Sequence, residues 1–283
     1  MLIDGDVLCY KVALGGEYAV NWASEGQPEL WTVWADAEET KARFKSAIYS
    51  LKEKLGADWA IIAVTKDTEN FRKAFLPSYK DNRSNNRRPI LLHELRKFCT
   101  EHFEALSDPR LEADDILGIL ATGGSFNGEC VESPECILVS ADKDMRTIPG
   151  DHYHVETGQK FRVSEIDATY FFLSQALGGD ITDNYTGCEG IGRERAEQVL
   201  KAGEAWEQYT HTLKSGPRKG TEEVRWRKIK ARDQWHTVVS HYQKAGFTEE
   251  DAIVQARCAR ILTRDLYNDK TGEITLWQPP PSK

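Results

Sequence analysis

The stretch Met1–Asp4, M-L-I-D, is a short apolar run that ends in a carboxylate. Two further apolar runs, Trp59–Val64 and Ile137–Val139, are also followed within a few residues by an aspartate. Helical patterns lie between the runs, notably over Ala37–Leu55 and Pro89–Phe103. This alternation of strand and helix predicts an α/β fold with a central, mostly parallel sheet flanked by helices.

Acidic side chains follow each of the three predicted strands. Asp4 follows the first run, Asp67 the second and Asp142 the third. Because the carboxyl ends of parallel strands meet at one edge of a sheet, we expect these acids to share a site. With Asp144 and the acids of two further motifs, the candidate carboxylates are Asp4, Asp67, Glu112, Asp114, Asp115, Asp142, Asp144, Asp180 and Asp183.

So many carboxylates in one site are stable only if cations are bound there. Oxygen donors suit Mg²⁺ or Mn²⁺, whose usual partner in an enzyme is a phosphate ester. Each motif also has a structural explanation, since acids in the first turn of a helix, as at Glu112–Asp115, are favoured by the helix dipole. The set as a whole predicts a metal-dependent enzyme that acts on phosphodiesters.

The composition is that of an ordinary globular protein. The chain has 283 residues, a hydrophobic fraction of 40% and a formal net charge of −8. No apolar run is long enough to cross a membrane, and the first residues contain no signal-type segment. The six cysteines show no zinc-ligand spacing, so we expect free thiols and a cytoplasmic protein.

The net negative charge conceals two clusters of basic residues, one between Arg72 and Arg88 and one between Lys214 and Arg232. Such clusters either bind a phosphate backbone or are solvated surface faces, and the residues alone leave both readings open.

A glycine-rich stretch, Gly187–Gly192, precedes a predicted helix at Arg193–Leu200. Gly-Ile-Gly at the start of a helix is typical of a helix–hairpin–helix, in which small residues allow a DNA phosphate to approach the main-chain N–H groups. The remainder of the chain to Leu266 is predicted to be helical, with a strand at Glu273–Trp277.

Taken together and in order, these motifs resemble the 5′-nuclease (flap endonuclease) superfamily, particularly the phage-encoded 5′→3′ exonucleases. The matching stretches are Leu2–Asp6, Phe71–Lys73, Tyr79–Arg83, Leu111–Asp115, Ser140–Asp144 and Gly179–Gly192. The resemblance implies a PIN/5′-nuclease-like α/β domain over residues 1–177, with an arch or clamp at about 72–105. It also implies a helical, helix–hairpin–helix DNA-binding region over residues 178–283.

The resemblance further implies two Mg²⁺ or Mn²⁺ ions. Asp4, Glu112, Asp114 and Asp115 would hold one ion, and Asp142, Asp144, Asp180 and Asp183 the second, with Asp67 as the acid of the second strand. Lys80 and Arg83 would act on the scissile phosphate as catalytic residues. The DNA-binding residues would be Arg72, Lys73, Tyr79, Arg87, Arg88, Gly187, Gly190, Gly192 and Arg193.

The implied activity is 5′→3′ exodeoxyribonuclease cleavage in phage DNA replication, with flap endonuclease and RNase H-type activities. The expected substrates are double-stranded DNA with 5′ ends or flaps and RNA–DNA hybrids, cut by a monomer in the host cytoplasm. One alternative is a phosphatase of the haloacid-dehalogenase type, because Leu2–Val7 also resembles the opening motif of those enzymes. The other is a non-catalytic, structure-specific DNA-binding module. The resemblance gives no role to Asp6 or to the basic segment Lys214–Arg232.

Overall fold

A computed structural model describes residues 1–66, 69–85, 87–131 and 136–281. At Ser84 and Asn85 it describes the main chain but not the side chains. The α-helices are α1 (Gly5–Gly15), α2 (Ala37–Leu55), α3 (Leu92–His102), α4 (Ala113–Ala121), α5 (Glu165–Gly178), α6 (Arg193–Ala202), α7 (Gln234–Lys244) and α8 (Glu249–Ala259). The strands are β1 (Leu2–Asp4), β2 (Glu17–Asn21), β3 (Trp31–Ala35), β4 (Ile61–Ala63), β5 (Ala105–Leu106), β6 (Ser125–Phe126), β7 (Glu129–Cys130), β8 (Ile137–Ser140), β9 (Gly150–His154), β10 (Lys160–Val163), β11 (Glu204–Thr212), β12 (Glu222–Lys230), β13 (Tyr267–Asn268) and β14 (Glu273–Ile274). Short 3₁₀ helices lie at Phe71–Ala74, Asp81–Asn85, Lys143–Thr147 and Arg264–Leu266.

The chain divides into two compact units, each made of several segments. The sheet unit comprises Met1–Phe71, Asn85–Ser164 and Ile261–Thr275, and the helical unit comprises Arg72–Ser84, Glu165–Arg260 and Leu276–Lys283.

The sheet unit contains a six-stranded sheet in the order β10-β9-β8-β1-β4-β5. The β1 strand lies in its centre and pairs in parallel with β4 and β8, while β10 pairs antiparallel with β9 at the edge. The sheet is therefore mixed with a parallel core, which confirms the predicted fold class.

Helices cover both faces of this sheet, which explains why its central strands are continuously apolar rather than alternating. Leu2 is buried against the cluster that contains Ile116 of α4, whereas its neighbour Ile3 is buried in the cluster of Phe44 and Leu95 from α2 and α3. Successive strand residues thus point to opposite faces.

Helix α2 has the predicted bounds because both of its ends carry local signals. Asp36 accepts a hydrogen bond from the Glu39 N–H at 2.8 Å and begins the helix. Gly56, at φ 63°, ends it in the left-handed conformation that glycine adopts without a steric penalty. Helix α3 lies inside its predicted range of 89–103.

The helical unit packs α5, α6, α7 and α8 around one apolar core that includes Leu177, Ala196, Val238 and Ala256. It also contains a long antiparallel ribbon of β11 and β12, paired from Glu204↔Lys230 to Thr212↔Glu222.

The expectation that the chain is helical up to residue 266 is wrong for the ribbon. Its many Glu, Lys and Arg residues favour helix locally, but nine cross-strand pairs and aromatic residues with high strand propensity determine the structure. The strand predicted at 273–277 is shortened to β14.

Within the described ranges, no helix has the length and apolar character needed to cross a bilayer. All six cysteines are free, as predicted, and five of them are buried.

Candidate functional site

The first group of site residues lies at the carboxyl ends of β1 and β8. Asp4 ends β1, and its Oδ1 accepts a hydrogen bond from the Val7 N–H at 3.1 Å. Its Oδ2 accepts one from the Ser140 hydroxyl at 2.7 Å. The Ser140 oxygen in turn accepts the Asp142 N–H at 2.9 Å. One serine therefore fixes the acid that follows β1 relative to the loop that follows β8.

Asp4 is almost completely buried, with 5% of its surface exposed. Burial raises its pKa from 3.8 to about 7, and the negative charges of Asp6 and Asp142 act in the same direction. The hydrogen bonds from Val7 and Ser140 oppose this effect without cancelling it. A cation from solution would stabilise the ionised carboxylate, so this environment suits a metal ligand.

The second group opens helix α4. Oxygen atoms of Glu112, Asp114 and Asp115 lie within 4.8 Å of one another, a spacing that one metal ion could bridge. The Ala113 N–H donates to the Thr65 hydroxyl at 2.9 Å, which attaches the start of α4 to the chain just beyond β4. These three acids therefore lie at the same edge of the sheet as Asp4.

Asp115 also has a structural function. It is completely buried, and its Oδ2 accepts the Glu112 N–H at 3.2 Å while its Oδ1 accepts the Leu262 N–H at 3.0 Å. Each carboxylate oxygen has a second acceptor position, so these hydrogen bonds are compatible with a role as ligand. That role stays a prediction.

Asp142 and Asp144 lie on the turn that begins the 3₁₀ helix after β8. Asp142 Oδ1 accepts the Asp144 N–H at 2.8 Å, which holds the two carboxylates on one turn. Asp67, the candidate from the second strand, lies outside the described residues.

Asp6, for which the sequence suggested no role, forms an ion pair with Arg96 of α3 at 2.9 Å. Its carboxylate also accepts the Thr65 N–H at 3.2 Å. Asp6 therefore connects α1, α3 and the end of β4 beside the acidic edge. Because Arg96 is distant in sequence, no local pattern indicates this pair.

The remaining predicted ligands, Asp180 and Asp183, belong to the helical unit. Asp183 is 7% exposed and is surrounded by donors. Its carboxylate accepts the Tyr79 hydroxyl at 3.1 Å, pairs with the Lys80 ammonium at 3.5 Å and contacts the Arg83 guanidinium. The structure thus places both predicted catalytic cations against one carboxylate.

The segment that carries these cations is held by its main chain. The Lys80 N–H donates to the Asp183 carbonyl at 2.9 Å, and Lys80 adopts a φ of 58°, which is uncommon for a residue with a side chain. Asp180 Oδ1 accepts the Thr182 N–H at 2.7 Å, which fixes the turn that leads to Asp183.

Two predicted DNA contacts are buried instead. Arg72 is 1% exposed and donates to the main-chain carbonyls of Cys258 at 3.1 Å and Arg260 at 2.7 Å. Tyr79 is 2% exposed and bonds to Asp183. The Arg72 guanidinium satisfies carbonyls at the end of α8. The contact of Arg72 and Tyr79 with DNA stays a prediction.

The other predicted basic contacts are exposed. Lys73 pairs with Asp81 at 2.7 Å, and Arg87 pairs with the Glu17 carboxylate. Arg88 also lies at the surface. Their contact with DNA stays a prediction.

The glycine-rich loop between α5 and α6 has one closed and one open part. Gly187 adopts a φ of 67°, and a Cβ there would lie 2.3 Å from the Gly179 nitrogen, so the two main chains touch. Gly190, at φ 74°, and Gly192 face open space, and Arg193 starts α6 at the surface. The exposed main chain at the start of α6 is compatible with the predicted helix–hairpin–helix contact.

The sequence did not assign roles to Ser140 and Thr65. Ser140 lies two residues before Asp142 at the end of a predicted strand, and this Ser-x-Asp spacing is the signal that could have identified it.

The family model and the two phage proteins that match this chain are all described as exonucleases. A family model described as "5′–3′ exonuclease, N-terminal resolvase-like domain" matches residues 1–172. The exonuclease of Escherichia phage T7 is 33% identical over 99% of this chain and 93% of its own length. The exodeoxyribonuclease of Enterobacteria phage T3 is 32% identical over 99% of this chain and 92% of its own length.

Solved structures share the fold. The phage T5 5′-exonuclease with bound zinc has a TM-score of 0.53 and 20% identity, covering 72% of this chain and 74% of its own. The same values hold for a bacteriophage T5 flap endonuclease in a pseudo-enzyme–product complex with DNA and metal ions.

Proposed function

Because the chain belongs to the 5′–3′ exonuclease family, and is thus a nuclease, we propose that it hydrolyses phosphodiester bonds of duplex DNA from the 5′ end. The observation that carries this proposal is the acidic edge formed by Asp4, Glu112, Asp114 and Asp142 in a chain that matches a phage exonuclease over 99% of its length. Family membership also decides against the phosphatase alternative.

We propose Mg²⁺ or Mn²⁺ as the cofactor, with two ions per active enzyme. Three features fit such ions: an all-oxygen donor set, a buried Asp4 with a raised pKa, and three acids at the start of α4 within 4.8 Å. Bound divalent cations supply Lewis-acid polarisation of the phosphodiester and of the attacking water. The metal ions in the phage T5 structures, which are zinc in one of them, support the metal dependence.

The chain's own residues hold and orient the reacting groups. Ser140 keeps Asp4 in place through its 2.7 Å hydrogen bond, and Thr65 keeps the start of α4 in place. Lys80 and Arg83 would stabilise negative charge on the scissile phosphate. A lysine ammonium has three N–H donors, so the 3.5 Å pair with Asp183 is compatible with a phosphate contact.

The assignment of Asp180 and Asp183 as ligands of a second ion, and of residues 187–193 as a DNA-binding hairpin, forms part of the proposal. The proposal also includes action on flaps and on RNA–DNA hybrids. It further includes function as a monomer and a role in phage replication in the host cytoplasm. The T5 complex with DNA supports the DNA partner.

The test uses a duplex labelled at either its 5′ or its 3′ end, incubated with Mg²⁺ or with EDTA. We expect Mg²⁺-dependent release of 5′-terminal mononucleotides or short oligonucleotides. Release that starts from the 3′ label would refute the polarity, and an inert protein in both conditions would favour the non-catalytic DNA-binding module.

Asp142→Ala should abolish cleavage while duplex binding is retained. Asp151→Ala is the matched control, because Asp151 lies on β9, forms an exposed ion pair with Arg162 and precedes no site motif. If the Asp142 variant cuts at the wild-type rate, the metal-site assignment is wrong.

A further inference from the structure

The proposed site does not use the β11–β12 ribbon, whose second strand and connecting loop make up most of the basic segment Lys214–Arg232. Its strands pair over nine residues each, which corresponds to a length of about 30 Å at 3.3 Å per residue. At one end the ribbon continues directly from α6, and at the other a loop of residues 213–221 connects its strands.

The base of the ribbon is fixed to α7. Ala205 is 1% exposed, and the Trp206 indole N–H donates to His241 Nε2 at 3.1 Å. The Lys244 ammonium lies 2.9 Å from the centre of the Trp206 ring, in a cation–π contact. These contacts hold the base of the ribbon against α7.

Most of the positive charge on the ribbon strands is compensated within the ribbon. Arg227 pairs with Glu207 and Lys228 with Glu204, each at 2.5 Å across the two strands. Arg225 pairs with Glu223 of its own strand.

The loop at the end of the ribbon, the ribbon tip (residues 213–221), has a different charge pattern. It contains Lys214, Arg218 and Lys219 and no acidic residue. All three side chains are exposed, and within the described part of the chain none of them forms an ion pair. The tip therefore presents three uncompensated positive charges.

The tip has a defined conformation. The Gly220 N–H donates to the Leu213 carbonyl at 2.9 Å, and the Lys219 N–H donates to the Gly216 carbonyl at 3.1 Å. The Thr221 N–H and hydroxyl both bond to the Arg218 carbonyl. A preformed loop reduces the entropy lost when its cations bind a partner.

We propose that the ribbon tip binds the phosphate backbone of the duplex substrate, about 30 Å along the ribbon from its base on α7. Closely spaced, exposed cations on an ordered loop match the regular negative charge of DNA, whereas the paired charges of the strands add little net attraction. The proposal rests on the proposed function, because it takes duplex DNA as the substrate.

The test compares the triple variant Lys214→Gln, Arg218→Gln, Lys219→Gln with the wild type. Duplex binding is measured by fluorescence anisotropy in EDTA over a salt series. Each phosphate contact contributes about 0.9 to the slope of log affinity against log salt, so the slope should fall by about 2 to 3. At about 0.1 M salt the affinity should fall by about 10- to 100-fold.

The matched control removes the same charge elsewhere, with Lys45→Gln, Lys160→Gln and Lys270→Gln, all exposed residues of the sheet unit. It should change the salt slope by less than about 1, which separates a local contact from the effect of net charge.

A second arm varies the length of the duplex. A duplex of about 8 base pairs is about 27 Å long, shorter than the ribbon, whereas one of about 30 base pairs is about 100 Å long. The wild type should bind the long duplex more tightly than the tip variant does, and the difference between the two proteins should be smaller for the short duplex, which offers fewer phosphates to the tip and to the rest of the protein at once.

Cleavage in Mg²⁺ distinguishes the two proposals. A wild type that cuts duplex DNA, together with a tip variant of unchanged salt slope and affinity, would overturn the role of the tip alone. A wild type that does not cut would overturn the proposed function. A tip variant with a raised KM and an unchanged kcat is the expected result.

Discussion

Replacing Asp4 by Asn should make the metal-free protein more stable while it abolishes cleavage. Asp4 is 5% exposed and lies beside the negative charges of Asp6 and Asp142. Asn has almost the same shape, and its amide can still accept from Val7 and contact Ser140. The substitution therefore removes a buried charge without leaving a cavity.

The magnitude follows from the pKa. Burial raises the pKa of Asp4 from 3.8 to about 7, so the unfolded chain loses this proton at a lower pH than the folded protein does. The resulting penalty on folding is absent below pH 3.8, grows as the pH rises and is complete above about pH 7. Across that interval it reaches about 4 kcal/mol. Since the altered bond to Ser140 costs about 1 kcal/mol, the net gain in the free energy of unfolding should be about 3 kcal/mol at about pH 8.

The assay is urea unfolding in EDTA at about pH 5 and about pH 8, repeated with Mg²⁺. The stabilisation by Asp4→Asn should be about 3 kcal/mol at the higher pH and less than about 1 kcal/mol at the lower one, where only part of the penalty is present. Saturating Mg²⁺, at about 100 times its Kd, should add about 2.7 kcal/mol to the wild type and much less to the variant. Asp58→Asn, an exposed control, should change stability by less than about 0.5 kcal/mol. If Asp4→Asn destabilises the protein equally at both pH values, the buried-charge reasoning is wrong.

Two further predictions concern the helical unit. Gly187→Ala should lower the free energy of unfolding by about 3 kcal/mol, because its Cβ would meet the Gly179 main chain at 2.3 Å, whereas Gly190→Ala, with a similar φ and open space, should cost about 1 kcal/mol. Equal thermal shifts for the two variants would contradict this. Burial lowers the pKa of His241 below its usual 6.5, and the neutral ring accepts a hydrogen bond from the Trp206 indole N–H. The unfolded chain therefore takes up this proton at a higher pH than the folded protein does. The free energy of unfolding should fall as the pH drops below 6.5, by up to about 1.4 kcal/mol per pH unit. His241→Gln should flatten this dependence in denaturant titrations, and an unchanged slope would refute the assignment.

Features that depend on local sequence could be predicted well. Helix α2 has a capping aspartate, Asp36, and a terminal glycine, Gly56, and its predicted bounds are correct. The acids at the ends of β1 and β8 were also predictable, because strand direction in a parallel sheet determines which end faces the site.

Features that depend on distant partners were not predictable from local patterns. Asp6 and Arg96 meet only after α1 and α3 have packed, and Arg72 is buried because the carbonyls at the end of α8 need donors. The β11–β12 ribbon was missed for the same reason, since cross-strand pairs such as Glu207 with Arg227 exist only in the paired state.

The two groups of predicted ligands differ in the charges that surround them. Asp183 is met within its own unit by the Tyr79 hydroxyl, the Lys80 ammonium and the Arg83 guanidinium, so protein groups already compensate its charge. The charges of Asp142 and of Asp6, which is itself paired with Arg96, raise the pKa of Asp4, and its two hydrogen bonds leave that pKa at about 7. The free energy gained when a divalent cation binds from solution is therefore larger at the edge of the sheet than at Asp183. We therefore expect the acids at the ends of β1 and β8 to bind a metal ion more strongly than Asp183 does. The Asp183 carboxylate contacts the two side chains, Lys80 and Arg83, that are proposed to act on the phosphate.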